Sequence, residues 1–120
     1  MIIAIDFDGT CVTHEYPIVG KDIGAVPVLQ EIVNKGHKLI LYTMRSGIQL
    51  EDAISWFKEN NIKLWSVNTN PEQLSWTTSP KCYAHLYIDD AAFGAPLMSS
   101  MISDRQYINW DIINYWVQTL

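Results

Sequence analysis

The chain has 120 residues, of which 48% are hydrophobic and 18% charged, a size and balance typical of one globular domain that exclude a disordered or coiled-coil protein. Its 13 acidic and 8 basic residues give a formal charge of -5, so we expect no basic face for nucleic acid. The two cysteines, Cys11 and Cys82, are too few and too far apart for a disulfide framework or a zinc quartet. No apolar run approaches the roughly 20 residues that span a bilayer, and Met1–Ile5 is too short for a signal-peptide core. We therefore expect a single cytoplasmic domain over residues 1–120, with no membrane partner.

Short apolar runs alternate along the chain with segments of helical periodicity. Strands are predicted at Ile2–Phe7, Lys38–Tyr42, Ile62–Val67 and Ala84–Ile88. Helices are predicted at Val26–Val33 with Gly36 as C-cap, at Leu50–Phe57 with an end near Asn60, and at Ile108–Trp116. Cys11–Gly24 is predicted as a loop or small hairpin, and Asn68–Ser79 as a loop. The alternation predicts an α/β fold, a three-layer α/β/α Rossmann-like arrangement around a mostly parallel sheet.

Polar residues follow several of these strands directly. Asp6 and Asp8 end the first strand, Thr43 follows the second, and Asp89 and Asp90 follow the fourth. In a parallel sheet these ends converge on one edge, beyond which ligands bind. We therefore expect one site that holds all five side chains.

The expected site has the composition of a magnesium and phosphate site. Four carboxylates that repel one another are tolerable in ionised form only beside a cation, and oxygen ligands favour Mg²⁺. The Thr43 hydroxyl and the Lys81 ammonium could donate to phosphoryl oxygens. A carboxylate beside the metal could act as the nucleophile and form an aspartyl-phosphate.

The motifs resemble those of the haloacid-dehalogenase-like superfamily of phosphohydrolases, in the family's order. Asp6–Thr10 resembles the first motif, Thr43 the second, Lys81 the third and the pair Asp89–Asp90 the fourth. The resemblance extends from Ile2 to about Pro96. The first motif is fairly specific, whereas a lone threonine or lysine gains weight only from its order and its position at a strand end.

The resemblance implies a role for each motif residue. Asp6 would be the nucleophile, and Asp8 would protonate the leaving oxygen and then activate water. Thr43 would bind phosphoryl oxygens, and Lys81 would neutralise charge and hold Asp6. Members with an acid two residues after the nucleophile are phosphatases and phosphotransferases, so we expect a Mg²⁺-dependent phosphatase that acts on a small-molecule phosphomonoester or another phosphorylated substrate.

The resemblance also implies ligands for Mg²⁺ and for the substrate. Mg²⁺ would bind Asp6, the backbone carbonyl of Asp8, and the pair Asp89 and Asp90, with Asp90 the favoured direct ligand. The substrate would meet the motif loops through the residues Gly9, Thr10, Thr43, Met44, Arg45 and Lys81. For Arg45, a surface position and a phosphate-binding position are both open, and His14 is expected to be exposed rather than catalytic.

The spacing of the motifs leaves no room for a cap domain of the family's usual size. Thr10 and Thr43 are separated by 32 residues and Thr43 and Lys81 by 37, most of which the predicted elements use. The predicted site is therefore open, with only the loops Cys11–Gly24 and Asn68–Ser79, the second carrying Trp76, as candidate covers.

Two other functions stay open at this point. A receiver-type phospho-accepting signalling module has a similar length and similar residues, but it carries its paired acids on the first strand. A catalytically silent binding protein could keep the fold and the site without turnover. The sequence does not choose the substrate or the oligomeric state.

Overall fold

The computed structural model describes residues 1–120 and contains six strands and three α-helices. In chain order the elements are β1 (Ile2–Ile5), α1 (Ala25–Asn34), β2 (Lys38–Leu41), α2 (Gly47–Glu59), β3 (Ser66–Val67), β4 (Leu86–Ile88), β5 (Leu97–Ser100), β6 (Ser103–Ile108) and α3 (Trp110–Val117). One turn of 3-10 helix, Gln73–Ser75, lies between β3 and β4. None of the helices has the length and hydropathy that crossing a membrane requires.

Four of the strands form a parallel sheet in the order β3-β2-β1-β4. Ile5 of β1 pairs with Leu41 of β2 and with Ile88 of β4, so the carboxyl ends of these three strands lie level. The predicted α/β fold with a parallel sheet is confirmed. The register also brings the residues that follow the three strands to one edge of the sheet.

All three helices contribute to one apolar cluster on one face of the sheet. The sheet and the loop after β1 contribute six side chains to this cluster, namely Ile3, Ile5, Phe7, Leu39, Leu41 and Ile88. Leu29 of α1, Phe57 of α2 and Val117 of α3 are buried in it. Two successive crossovers in the same direction place α1 and α2 on the same face, because such connections are right-handed, and α3 packs against α1.

The opposite face of the sheet is covered by irregular chain. Ala4 and Ile40 are buried there, and an ion pair of 3.2 Å joins Lys38 to Glu72. The Tyr87 hydroxyl donates to the carbonyl of Cys82. A helical third layer on this face is therefore not confirmed, since the segment from 70 to 84 holds only one turn of 3-10 helix.

An antiparallel hairpin, β5 and β6, follows the parallel sheet and was not predicted. The expected helix at Ile108–Trp116 was wrong at its start, since Ile108 ends β6 and α3 begins at Trp110. Asn109 separates them, and its side chain accepts a hydrogen bond from the backbone N–H of Asp111, as an N-cap does. The mainly polar sequence of β6 carries no strand periodicity that could have predicted it.

The remaining elements agree with the prediction apart from their boundaries. Helix α1 ends before Gly36, whose φ of 90° is the left-handed conformation of a residue that follows a helix. Strand β3 was predicted to begin at Ile62, but only Ser66–Val67 pair with β2. Ile62 is nevertheless buried in the core, so its apolar character reflects packing rather than strand pairing.

Candidate metal and phosphate site

Three carboxylates meet at the carboxyl edge of the sheet. Asp6 follows β1, and Asp89 and Asp90 follow the neighbouring β4; one oxygen from each lies within 4.8 Å of the others. The backbone N–H of Asp6 donates to the carbonyl of Ile88 at 3.0 Å, which continues the pairing of β1 and β4 to this point. Two oxygens bound to one Mg²⁺ are at most about 4.2 Å apart, so small side-chain rotations would let all three reach one ion. The donor set, carboxylate oxygen only, fits Mg²⁺.

A buried threonine holds two of these carboxylates. The Thr10 hydroxyl lies 3.1 Å from Asp6 Oδ2 and 3.1 Å from Asp90 Oδ1, and it accepts from the backbone N–H of Asp90. Its single proton can serve only one carboxylate at a time. Thr10 is fully buried, so the structure gives it a positioning role rather than the predicted contact with substrate.

The carboxylate cluster shifts the titration of Asp6. Burial raises the pKa of Asp6 from 3.8 to about 8, and the negative charge of Asp89 is the next largest cause. Both of these causes disfavour the charged form of the carboxyl group, whereas the hydrogen bond from the Phe7 backbone favours it to a smaller extent. A bound cation acts in the opposite direction, since it favours the ionised form that a nucleophile or ligand requires.

A cavity of about 270 Å³ opens beside Asp6 and Asp89. Its other lining residues are Tyr42, Thr43, Met44 and Asn68. The structure therefore places the predicted residues Thr43 and Met44 next to the carboxylates. The Thr43 hydroxyl accepts from the backbone N–H of Arg45 at 3.1 Å, which leaves its own proton free to donate into the cavity.

Asn68 holds the Thr43 loop in place. The side-chain oxygen of Asn68 accepts from the backbone N–H of Thr43 at 2.8 Å, and the backbone N–H of Asn68 donates to the carbonyl of Leu41 at 2.7 Å. With a φ of 59°, Asn68 adopts the left-handed conformation that asparagine tolerates better than most residues. Asn68 was predicted only as part of a loop, and no sequence pattern indicates its contact with the site.

Lys81 is not joined to the carboxylates in this structure. It is exposed, and its Nζ lies 5.8 Å from the centre of the Tyr87 ring, without an ion pair to any acidic residue. Tyr87 packs in turn against Tyr42, with ring centres 6.4 Å apart. The rings of Tyr87 and Tyr42 therefore lie between Lys81 and the cavity, whereas its predicted role requires its ammonium group to reach Asp6.

Asp8 forms an ion pair with Arg45, a residue for which the sequence left two positions open. Arg45 Nε and Nη2 donate to Asp8 Oδ2 and Oδ1, both at 2.8 Å. Arg45 is 3% exposed, so it is neither a surface arginine nor free to bind substrate phosphate, the two positions that the sequence left open. The bond to Asp8 raises the pKa of the Arg45 guanidinium above its ordinary value.

The remaining donors of Arg45 bind backbone carbonyls of the Cys11–Gly24 loop and of α2. Nη1 donates to the carbonyls of Pro17 and Gln49, at 3.2 and 3.1 Å, and Nη2 donates to that of Ile18 at 2.8 Å. Arg45 therefore joins Asp8 to the Cys11–Gly24 loop and to the start of α2. No local pattern marks this role, since all the partners except Gln49 are distant in sequence.

His14 also belongs to the site, although the sequence analysis expected it to be exposed. Its Nε2 lies 2.9 Å from Asp90 Oδ2, with a direction that does not suit a hydrogen bond. The side chain is 12% exposed. It packs over Gly9, where a β-carbon would collide with His14 and would lie 2.6 Å from Asp90 Oδ2. The predicted residue Gly9 thus allows the loop to approach the carboxylates.

Replacing Gly9 by alanine should damage both stability and the carboxylate cluster. Gly9 has a φ of 78°, and the added methyl would also displace His14 and Asp90. We expect a loss of more than about 1 kcal/mol of unfolding free energy, measured by urea denaturation, and weaker Mg²⁺ binding measured by calorimetry.

Gly36→Ala is the matched control for this substitution. Gly36 has a φ of 90° but no atom within 4 Å of the added β-carbon. It should show the backbone cost without any effect on Mg²⁺ binding. Equal effects of the two substitutions on Mg²⁺ affinity would contradict the assigned contact.

The other singled-out residues take supporting positions. Cys11 and Cys82 are buried, and burial raises the pKa of both thiols, as is typical of unreactive cysteines that fill space in a core. Trp76 is exposed and packs edge-on against Tyr83, with ring centres 5.4 Å apart. It does not line the cavity beside Asp6.

Comparison with known proteins gives one informative relative. No protein-family model and no curated protein matches the chain. Among solved structures, a conserved protein from Bacteroides thetaiotaomicron is 32% identical, with a TM-score of 0.80 over 99% of this chain and 90% of the other. The chain therefore belongs to the same family as this conserved Bacteroides protein.

Proposed function

We propose that this protein is a Mg²⁺-dependent phosphohydrolase that cleaves a phosphomonoester through an aspartyl-phosphate. The observation that carries the proposal is the convergence of Asp6, Asp89 and Asp90 beside a cavity that Thr43 lines. It agrees with the motif order that resembles the haloacid-dehalogenase-like superfamily. The proposal includes that superfamily's three-layer fold without a cap domain and a cytoplasmic location.

Mg²⁺ would be held by Asp6, Asp89 and Asp90, together with the backbone carbonyl of Asp8. When bound, it supplies positive charge that offsets the repulsion among the carboxylates and the phosphate oxygens. The raised pKa of Asp6 supports this assignment, because the residue proposed as nucleophile needs a neighbouring cation to be ionised near neutral pH.

Asp6 supplies the nucleophile in the proposed reaction. One of its oxygens forms a bond to phosphorus, the bond from phosphorus to the ester oxygen breaks, and the alcohol leaves with a proton from Asp8. Water then gives a proton to Asp8 and attacks the phosphorus of the aspartyl-phosphate, which releases inorganic phosphate and restores the Asp6 carboxylate. The Thr43 hydroxyl donates a hydrogen bond to a phosphoryl oxygen during both steps.

Two side chains must move from their present positions for the complete mechanism. Asp8 can give a proton to the leaving oxygen only after one of its oxygens leaves Arg45. Lys81 must turn from Tyr87 towards Asp6, a movement that its flexible four-carbon stem permits. The catalytically silent alternative draws support from the same two positions, so the assay must be able to distinguish it.

Replacing Asp6 by asparagine should abolish turnover. We expect wild-type protein to hydrolyse p-nitrophenyl phosphate or a member of a panel of metabolite phosphates with Mg²⁺, and to lose this activity in EDTA. Because the amide is not a nucleophile, Asp6→Asn should lower kcat at least about 10³-fold. Release of inorganic phosphate measures both effects.

Asp104→Asn serves as the control, because Asp104 is an exposed carboxylate on β6. It should keep wild-type turnover. Stoichiometric labelling with slow decay would instead indicate a phospho-accepting signalling module. Mg²⁺ binding without turnover on any substrate would contradict the proposal and favour the silent binding protein.

A further inference from the structure

Two exposed tyrosine rings continue the cavity outward from the carboxylates. Tyr42 lines the cavity and is 37% exposed, and Tyr87 is 38% exposed. Their ring centres are 6.4 Å apart, with planes inclined at 55°. Large exposed aromatic rings beside a cavity are suited to contact a ligand, since each offers a broad apolar face together with a polar hydroxyl.

The register of the sheet places these rings and the carboxylates on the same side. Ala4 pairs with Ile40 and with Tyr87, so the three side chains share one face of the sheet. Because side chains alternate along a strand, residues two positions further on keep this face. Asp6, Tyr42 and Asp89 are those residues. A phosphate bound at Asp6 and Asp89 would therefore lie on the same face of the sheet as the two rings.

The platform formed by Tyr42 and Tyr87 is held in place by the backbone behind it. The Tyr87 hydroxyl donates to the carbonyl of Cys82 and accepts from the backbone N–H of Ala84. Tyr87 in turn supports Tyr42, and Lys81 lies beside the Tyr87 ring. A preformed platform lowers the ordering cost of binding a flat group.

The charges near the platform favour a small ligand over a polynucleotide. Lys81, beside the Tyr87 ring, has no acidic partner, whereas Lys38 pairs with Glu72 and Arg45 with Asp8. Tracking several backbone phosphates needs several free cations. One ammonium, one cation site and a cavity of about 270 Å³ suit a single phosphate group.

We propose that the site takes nucleoside monophosphates, in which the alcohol part carries a planar base, and that Tyr42 stacks on this base. The inference rests on the proposed function for the position of the phosphate. Tyr42 is then a specificity-determining residue, and the hydrolysed bond remains the same.

The test compares adenosine 5′-monophosphate with ribose 5-phosphate, which carries the same phosphate ester without the base. Stacking of one base on one aromatic side chain corresponds to about tenfold or more in affinity. We expect Asp6→Asn protein, at Mg²⁺ concentrations that saturate its weakened metal site, to bind the nucleotide at least about tenfold more tightly than ribose 5-phosphate in calorimetry. The wild-type protein should show the same preference in kcat/KM.

Two Tyr42 substitutions and one distant control isolate the ring. Tyr42→Leu should remove most of the preference, and Tyr42→Phe should keep it. Tyr115→Leu changes an exposed tyrosine on α3 and should leave it unchanged. The inference is overturned if wild-type protein shows no preference, if Tyr42→Leu retains it, or if a phosphotyrosine peptide binds more tightly than the nucleotide.

The two proposals fail separately in this experiment. Tight nucleotide binding that depends on Tyr42, without turnover, would overturn the hydrolase and keep the ring platform. Turnover that does not distinguish the two substrates would keep the hydrolase and overturn the ring platform.

Discussion

The metal-free protein should lose stability as the pH rises from about 4 to about 8, and Mg²⁺ should restore stability at the alkaline end. The cause is Asp6, whose pKa is raised from 3.8 to about 8 in the folded chain. Between these values the folded state holds a proton that the unfolded state has released. The unfolding free energy therefore falls with rising pH, by up to about 1.4 kcal/mol per unit for one such group. Above the folded pKa the loss is complete, and below the unfolded pKa it is absent.

Asp6→Asn isolates this contribution from those of other titrating groups. The amide cannot ionise, so the variant should be more stable than wild-type protein in EDTA at pH 8 and should show a flatter pH dependence. Mg²⁺ should raise the thermal midpoint of wild-type protein strongly at pH 8 and weakly at pH 5, where protons compete for Asp6. It should have a much smaller effect on the variant.

Thermal unfolding at pH 5 and pH 8, with Mg²⁺ or EDTA, measures all of these differences. Asp104→Asn should follow wild-type protein in every condition, because Asp104 is exposed on the hairpin. Equal stabilisation of wild-type protein and Asp6→Asn by Mg²⁺ would place the ion elsewhere. In EDTA, the stability of wild-type protein should change differently from that of Asp6→Asn between pH 5 and pH 8. The same pH dependence in both proteins would contradict the assigned pKa.

The convergence of the carboxylates could be predicted because it depends on strand order alone. Asp6 and Asp89 directly follow apolar strands, and parallel strands bring their carboxyl ends to one edge. Thr43 reaches the cavity for the same reason. These three positions need only local pattern and topology, which is why a short sequence was sufficient.

The residues that organise the site could not be predicted in the same way. His14 and Arg45 act across the chain, on Asp90 and on Asp8. His14 lies in the Cys11–Gly24 loop, which has no periodicity that would fix its path, and Arg45 is 37 residues away from Asp8 along the chain. The hairpin that carries Ile108 was missed for a related reason, since its outer strand is mostly polar.

Removing the Arg45 guanidinium should strongly destabilise the protein and detach the loop over the site. Arg45→Met keeps an unbranched side chain of comparable length but leaves the Asp8 carboxylate and the carbonyls of Pro17 and Ile18 without their side-chain donor. Breaking a buried ion pair by removing one partner costs about 3–5 kcal/mol. Arg45→Lys should recover only part of this, because one ammonium cannot reproduce two parallel bonds to a carboxylate.

Urea denaturation and limited proteolysis of the Cys11–Gly24 loop measure the two consequences. Arg105→Met changes an exposed arginine on β6 and should shift the unfolding free energy by no more than about 0.5 kcal/mol.

The second change Asp8→Asn should cost less in the Arg45→Met background than in wild-type protein, because the charge it removes has already lost its partner. Additive effects of Arg45→Met and Asp8→Asn would contradict the assigned role of Arg45, which is to bind both Asp8 and the loop. An Arg45→Met protein as stable as Arg105→Met would contradict it as well. A protected loop would do the same, since Pro17 and Ile18 have Arg45 as the side-chain donor to their carbonyls. Coupling between the Arg45 and Asp8 substitutions, together with faster proteolysis of the loop in Arg45→Met, would therefore show that the position of Asp8 and the closure of the loop depend on one side chain.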